Sequence, residues 1–202
     1  MFFKKLLLAT GNRHKYEEFL ALLPPDISPS LVFAPDFAAE IPAADLEETG
    51  TTYAMNACIK ALAWADVSGL PSLADDSGIE VEALAWKPGV RSARIVEGSD
   101  ADRNAWLLER MRGQCCRRAH YVAAIALAVP GQWTIICEGI CSGTLAESPS
   151  GEHGFGYDPL FIPDGYEISF GELPATEKNK ISHRLRALQE LFRILKERRG
   201  YS

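Results

Sequence analysis

At 202 residues the chain is long enough to bury a core as one compact α/β domain or as two lobes around a cleft. A net charge of −6 argues against a general nucleic-acid binder, which sets clustered Lys and Arg against phosphates, so an anionic substrate needs local cations or a metal. Five cysteines, Cys58, Cys115, Cys116, Cys137 and Cys141, are odd in number and lack Cys-x-x-Cys spacing, which points to a reduced cytoplasmic protein rather than a zinc module. No segment approaches the ~20 apolar residues that span a membrane, and the apolar start from Met1 to Ala9 is too short for a signal peptide and enters a glycine turn.

In chain order, Leu6-Leu7-Leu8-Ala9 reads as a buried strand, followed by Thr10-Gly11-Asn12-Arg13-His14-Lys15 and a helical pattern through Leu23. Strand, glycine turn and helix make an anion site: a helix start offers unpaired N–H groups and about half a positive charge, and Arg13 and Lys15 add full ones. A plain strand-to-helix connection with solvated charges is the competing reading. Pro24-Pro25 ends the helix, Ser30 to Phe33 suggests a second strand, and an irregular proline-spaced stretch follows.

Glu47-Glu48-Thr49-Gly50 precedes a helix with Thr49 or Thr51 as N-cap. Either glutamate is a candidate metal ligand, against a reading as charge compensation for the helix dipole. Ala54, Ala57, Cys58, Ala61 and Ala65 give that helix a small-residue face for close packing, while Asn56 and Lys60, four apart, share another face that could line a cleft.

Leu73-Ala74-Asp75-Asp76-Ser77-Gly78 is an apolar run that stops at two carboxylates, a hydroxyl and a glycine. Adjacent strand side chains diverge, so only one aspartate enters a given site; Asp76 is the candidate, with Ser77 turning the chain. Carboxylates ~6 Å apart repel by roughly 3 kcal/mol at an effective dielectric of about 20, a cost that a divalent cation removes. Ile79 to Leu84 then alternates like a further strand, and Trp86 to Arg94 is a loop in which Arg94 is a phosphate-contact candidate.

A helix is expected from Asp100 to Met111 with a structural role, then a hairpin of Tyr121–Val129 and Trp133–Glu138 around Pro130-Gly131. Ser148 to Pro159 is dense in glycine around Phe155, Tyr157 and Asp158, which lets backbone approach a ligand while Phe155 offers a stacking face. Leu160-Phe161-Ile162 reads as a strand. One long helix opens at Glu177, with Ile181, Leu185, Leu188, Phe192 and Leu195 as its buried stripe; His183-Arg184 could face a pocket, with surface charge as the competing reading.

Five motifs therefore stand in one order: Thr10-Gly11-Asn12-x-x-Lys15; Glu47-Glu48-Thr49-Gly50 with Asn56-Ala57-x-x-Lys60-Ala61; Ala74-Asp75-Asp76-Ser77-Gly78; Gly154-Phe155-Gly156-Tyr157-Asp158-Pro159; and Ser182-His183-Arg184. Together they resemble the inosine/xanthosine triphosphate pyrophosphatase family from Leu6 to about Leu195. The resemblance implies a two-lobed mixed-sheet α/β fold with a central cleft, formed by residues 1–202 as one domain. It also implies a cytoplasmic homodimer that uses Mg²⁺ to hydrolyse dITP, ITP and XTP to the monophosphate and pyrophosphate. Carried over by position, Thr10, Gly11, Asn12, Arg13, His14 and Lys15 would hold phosphate, with Ser77, Lys60 and Arg94 assisting. Glu47 and Asp76 would organise Mg²⁺, and Asp76 would be the general base. Phe155, Gly156, Tyr157, Asp158, Lys178, His183 and Arg184 would form the base pocket. Arg13-His14 and His120 depart from the family's common residues. A triphosphatase of other base specificity and a non-catalytic nucleotide-binding regulator are the rival readings.

Overall fold

A computed structural model describes residues 3–38 and 49–199. Its seven-stranded mixed sheet runs in the order β2-β1-β3-β5-β6-β7, with β4 paired to β3. The strands are β1 (Leu6–Leu8), β2 (Leu31–Phe33), β3 (Ser72–Val81), β4 (Lys87–Pro88), β5 (Arg118–Ala128), β6 (Thr134–Leu145) and β7 (Phe161–Pro163). The helices are α1 (Arg13–Leu22), α2 (Ala34–Ala38), α3 (Tyr53–Ser68), α4 (Asp100–Arg110), α5 (Ala175–Ile181) and α6 (His183–Arg199). This is the mixed α/β class expected from the sequence.

The chain divides into two compact units. The first holds residues 1–76, 123–139 and 184–202; its core joins Leu6, Leu8, Phe19, Leu73, Ile125, Ile135, Leu188 and Leu191. The second holds residues 77–122 and 140–183 and gathers Ile79, Leu107, Tyr121, Leu145, Tyr157, Phe161 and Phe170. β3, β5 and β6 each carry the chain from one unit to the other.

Several expectations are corrected by the fold. Ser77 does not turn the chain: β3 is one ten-residue strand through Asp75-Asp76-Ser77-Gly78, and Ile79 to Val81 continue it. Pairing overrides the turn composition, since β3 neighbours β5 in the sheet and Glu80 and Val81 pair with Pro88 and Lys87 of β4. The long C-terminal helix is two helices, because Ser182 is extended (φ −65°, ψ 153°) and breaks the ladder between α5 and α6. The buried stripe of α6 accordingly runs through Ala187, Leu188, Leu191 and Leu195, with Phe192 only half-buried. Thr52, rather than Thr49 or Thr51, caps α3 by accepting from the Met55 N–H. The small-residue face of α3 is as expected, with Ala57, Ala61 and Ala65 buried.

Candidate active site

The first unit builds its part of the site where β1 stops. β1 runs parallel to both β2 and β3, and its last residue, Leu8, pairs with Leu73. Beyond that register β3 continues into Asp75 and Asp76 while the β1 chain turns away through Thr10-Gly11-Asn12. The carboxyl ends of parallel strands are where open α/β sheets bind ligands.

Asn12 caps α1: its side chain accepts from the Lys15 N–H at 3.2 Å, and Thr10 Oγ1 accepts from the Asn12 N–H at 3.1 Å. A Cβ placed on Gly11 would meet nothing within 4 Å, and its φ lies outside the left-handed region. The fold itself therefore does not demand glycine there, whereas a ligand lying against the turn would. The three residues opening α1 separate by direction. Arg13 is exposed, pairs with Glu17 at 3.5 Å and lies over the Tyr16 and Phe33 rings. His14 is exposed too, and only Lys15 turns inward.

Asp75 and Asp76 diverge, as alternation on a strand requires. Asp75 is buried and takes Lys15 Nζ on Oδ2 at 2.7 Å, with Arg184 Nε at 3.5 Å from the same oxygen. Arg184, also buried, gives its other arm to Glu18 Oε2 at 2.7 Å. Burial pushes the Asp75 carboxyl up, but the charges of Lys15, Arg184 and Lys60 outweigh it and hold the group well below the usual carboxylate range. Burial lowers the Lys15 pKa, and Arg184 and Lys60 add to that against the pull of Asp75.

Asp76 faces α3. Asn56 Nδ2 donates to Asp76 Oδ2 at 2.9 Å, while Asn56 Oδ1 accepts from the Gly50 N–H at 2.8 Å, which fixes the amide's orientation. A Cβ on Gly50 would lie 2.5 Å from Asn56 Oδ1, so this clasp requires glycine. Lys60 Nζ donates to the Asp75 carbonyl at 2.8 Å and stands 3.8 Å from Asp76 Oδ1. The i, i+4 pair on α3 thus holds the carboxylate from two sides. Glu47 and Glu48 lie outside the described residues, three and two positions before the clasped Gly50 in the sequence.

The second unit organises the glycine-rich loop around Asp158, which is 2% exposed. Asp158 Oδ2 accepts from Lys178 Nζ at 2.6 Å and from the Phe155 N–H at 2.8 Å; Oδ1 accepts from the Tyr121 hydroxyl at 3.2 Å. The Lys178 ammonium also lies 5.0 Å from the Phe155 ring centre, within cation–π range. Gly154 has φ +74°, and a Cβ there would fall 2.0 Å from Asp158 Oδ2, so only glycine fits. His183 stacks flat on Tyr121, with centroids 4.7 Å apart and planes 8° apart. Tyr157 belongs to the core: its hydroxyl donates to the Ser92 carbonyl at 2.9 Å, and burial pushes the phenol up to about 12.

The structure brings Lys15, Lys60, Asp76 and Arg184 together in the first unit, and Phe155, Asp158, Lys178 and His183 together in the second. Ser77 and Arg94 fall in the second unit, where Arg94 is exposed and donates to the Val90 carbonyl at 3.3 Å. Glu18, Tyr121, Asp100 and Asn104 are partners that the sequence reading did not single out. For Asp100 and Asn104 the i, i+4 spacing of two polar residues on an amphipathic helix was an available signal.

The model of the Ham1 family matches residues 6–194. A dITP/XTP pyrophosphatase of Exiguobacterium is 44% identical over 190 residues, covering 93% of this chain and 94% of its own. One from Deinococcus deserti is 53% identical over 146 residues, 72% of this chain and 70% of its own. Among solved structures, a HAM1 protein from Coxiella burnetii has a TM-score of 0.82 at 38% identity, covering 96% of this chain and 98% of that one. A nucleoside-triphosphatase / dITP/XTP pyrophosphatase from Mycobacterium abscessus has a TM-score of 0.73 at 38% identity, covering 93% and 98%. With the family model matching residues 6–194 and the fold of solved relatives shared over nearly the full length, this chain belongs to the Ham1 family.

Proposed function

We propose that this protein hydrolyses dITP, ITP and XTP to the monophosphate and pyrophosphate, its relatives being named dITP/XTP pyrophosphatases. The observation that carries the reading is the inward-facing set of Lys15, Lys60 and Arg184 around Asp75 and Asp76, where β3 runs on beyond the end of its parallel neighbour β1. Cations set around a carboxylate, next to an open helix start, suit a polyphosphate held for in-line attack. Thr10, Gly11, Asn12 and Lys15 take phosphate oxygens; Arg13, His14, Ser77 and Arg94 are further proposed contacts. Asp76 orients and deprotonates the attacking water, with Asn56 and Lys60 holding its carboxylate in place.

Mg²⁺ is the proposed metal. Mg²⁺ binds through one or two carboxylates plus substrate phosphates, and Asp76 supplies a hard oxygen of that kind. When bound, the ion neutralises phosphate charge and polarises the phosphorus being attacked. Glu47 is the proposed second ligand.

The base is assigned to Phe155, Gly156, Asp158, Lys178 and His183, with Arg184 proposed as a further contact. A 6-keto purine presents an O6 acceptor and an N1–H donor, and adenine inverts both. Buried groups left unpaired by the wrong base cost about 1–3 kcal/mol each, so ATP is a poor substrate. Most of the proposed phosphate contacts lie in the first unit and most of the proposed base contacts in the second, and the whole chain is proposed to be a single functional domain. The described cysteines are all free thiols, which suits the proposed cytoplasmic location, and a homodimer is proposed as the family resemblance implies. Product analysis with ITP, dITP, XTP, GTP and ATP plus Mg²⁺ tests the reading. Pyrophosphate and monophosphate are expected from the first three, and accumulation of IDP with orthophosphate from ITP overturns it.

A further inference from the structure

Helix α4, which the sequence reading treats as scaffold, is hydrogen-bonded to the glycine-rich loop at Gly156. The Gly156 N–H donates to Asp100 Oδ2 at 2.6 Å, and the Gly156 carbonyl accepts from Asn104 Nδ2 at 3.0 Å. Asp100 and Asn104 are i and i+4, so both project from one face of the helix. Each main-chain polar group of Gly156 is thus held by its own side chain, and Gly156 is left-handed at φ +66°.

The helix that supplies these groups is itself well anchored. Ser99 and Asp102 form a capping box at its start, Leu107 is buried in the second unit's core, and Arg103 bonds the Asp100 carboxylate and the Gly98 carbonyl. Asn104 is 5% exposed, and its Oδ1 has no hydrogen-bond partner among the described residues. A buried acceptor left open is a cost that packing alone does not call for.

We propose that Asp100 and Asn104 are positioning residues for base recognition, acting through Gly156 to fix the Phe155 ring. Phe155 is half-buried, its own N–H is held by Asp158 and the next residue's N–H and carbonyl by α4, so the turn that aims the ring is pinned on both sides. A ring fixed before binding loses little freedom when a purine stacks on it. The inference rests on the assignment of Phe155 to the base.

The test uses the full chain with ITP and ATP as substrates. Asn104→Ala removes one hydrogen bond to the loop, and its expected effect is a roughly tenfold rise in KM for ITP with a narrowed ITP-to-ATP ratio in kcat/KM and little change in kcat. Asp100→Ala behaves alike, while Asp100→Asn, which keeps an acceptor for the Gly156 N–H, restores most of the loss. In a Phe155→Ala background, Asn104→Ala adds little to KM, because the two act through one ring. Thermal melts establish that each variant is folded. If Phe155→Ala changes neither KM nor the base ratio, the assignment of the base fails and the inference falls with it. If Phe155→Ala acts as expected but folded Asn104→Ala and Asp100→Ala leave KM and the ratio untouched, the positioning role alone is overturned. A loss that is equal for ITP and ATP also overturns it.

Discussion

Asp75 and Asp76 are neighbours with opposite surroundings, and their amide variants should fail for different reasons. Asp76→Asn keeps the shape while removing charge and basicity, so a folded protein with turnover lowered by ~10²–10⁴ is expected, general-base help alone being worth that much. Wild-type turnover in steady-state assays would end the proposed role. Asp75→Asn, which the divergence of the two side chains would rank as the milder change for activity, leaves Lys15 and Arg184 without the carboxylate between them. Breaking a buried pair from one side costs about 3–5 kcal/mol, so its urea midpoint at pH 7 should fall sharply. The pH dependence follows from the depressed Asp75 pKa. Its stabilisation is complete above the unfolded-state value of about 3.9 and is lost as pH falls further toward the folded-state value. The stability gap between wild type and Asp75→Asn should therefore narrow progressively as pH falls below about 4, and a gap as wide at about pH 2 as at pH 7 would show that the charge is not its source. The Asn56/Lys60 pairing was legible as an i, i+4 spacing, and Lys15 as the residue closing a helix's first turn. Glu18 was not legible, because its partner Arg184 lies 166 residues away and nothing in local spacing joins them.

Elements were legible where periodicity was strong and misread where composition competed with pairing. β1, α1 and α3 carry their own signals: an apolar run, a cap and a small-residue face. β3 was misread as ending at Asp76 because Asp, Ser and Gly favour turns, and such preferences say nothing of the strands beside it. The break at Ser182 was hidden by continuous helix-forming residues on both sides. It makes His183 the first residue of α6, where the ring lies on Tyr121 of β5 and Arg184 follows toward Asp75. The β1–α1 turn yields a prediction of its own. Since Gly11 has room for a Cβ and an ordinary φ, Gly11→Ala should fold with a melting temperature near wild type. It should nonetheless bind triphosphate weakly, because the methyl group occupies the space in which phosphate meets the α1 amides. A KM for ITP unchanged in Gly11→Ala would remove the turn from the phosphate site.

At the scale of the whole molecule, each unit has its own core and its own polar cluster, one cationic around carboxylates and one aromatic around a buried ion pair. Those two chemistries match the two ends of a nucleoside triphosphate, and this division was readable only once a family resemblance ordered the motifs; spacing does not tell which motif meets which end. Hydrogen exchange can assign the ends separately. A ligand protects the amides that it orders or whose local opening it suppresses. Pyrophosphate with Mg²⁺ is expected to slow exchange in segments 10–16 and 74–77, leaving 154–158 unchanged. Inosine monophosphate, which brings the base and one phosphate, should slow 154–158, and a non-hydrolysable ITP analogue should slow all three segments. Protection of 154–158 by pyrophosphate alone would reverse the assignment of that loop to the base. Protection by the ITP analogue confined to one unit would mean that the two clusters do not serve the same molecule.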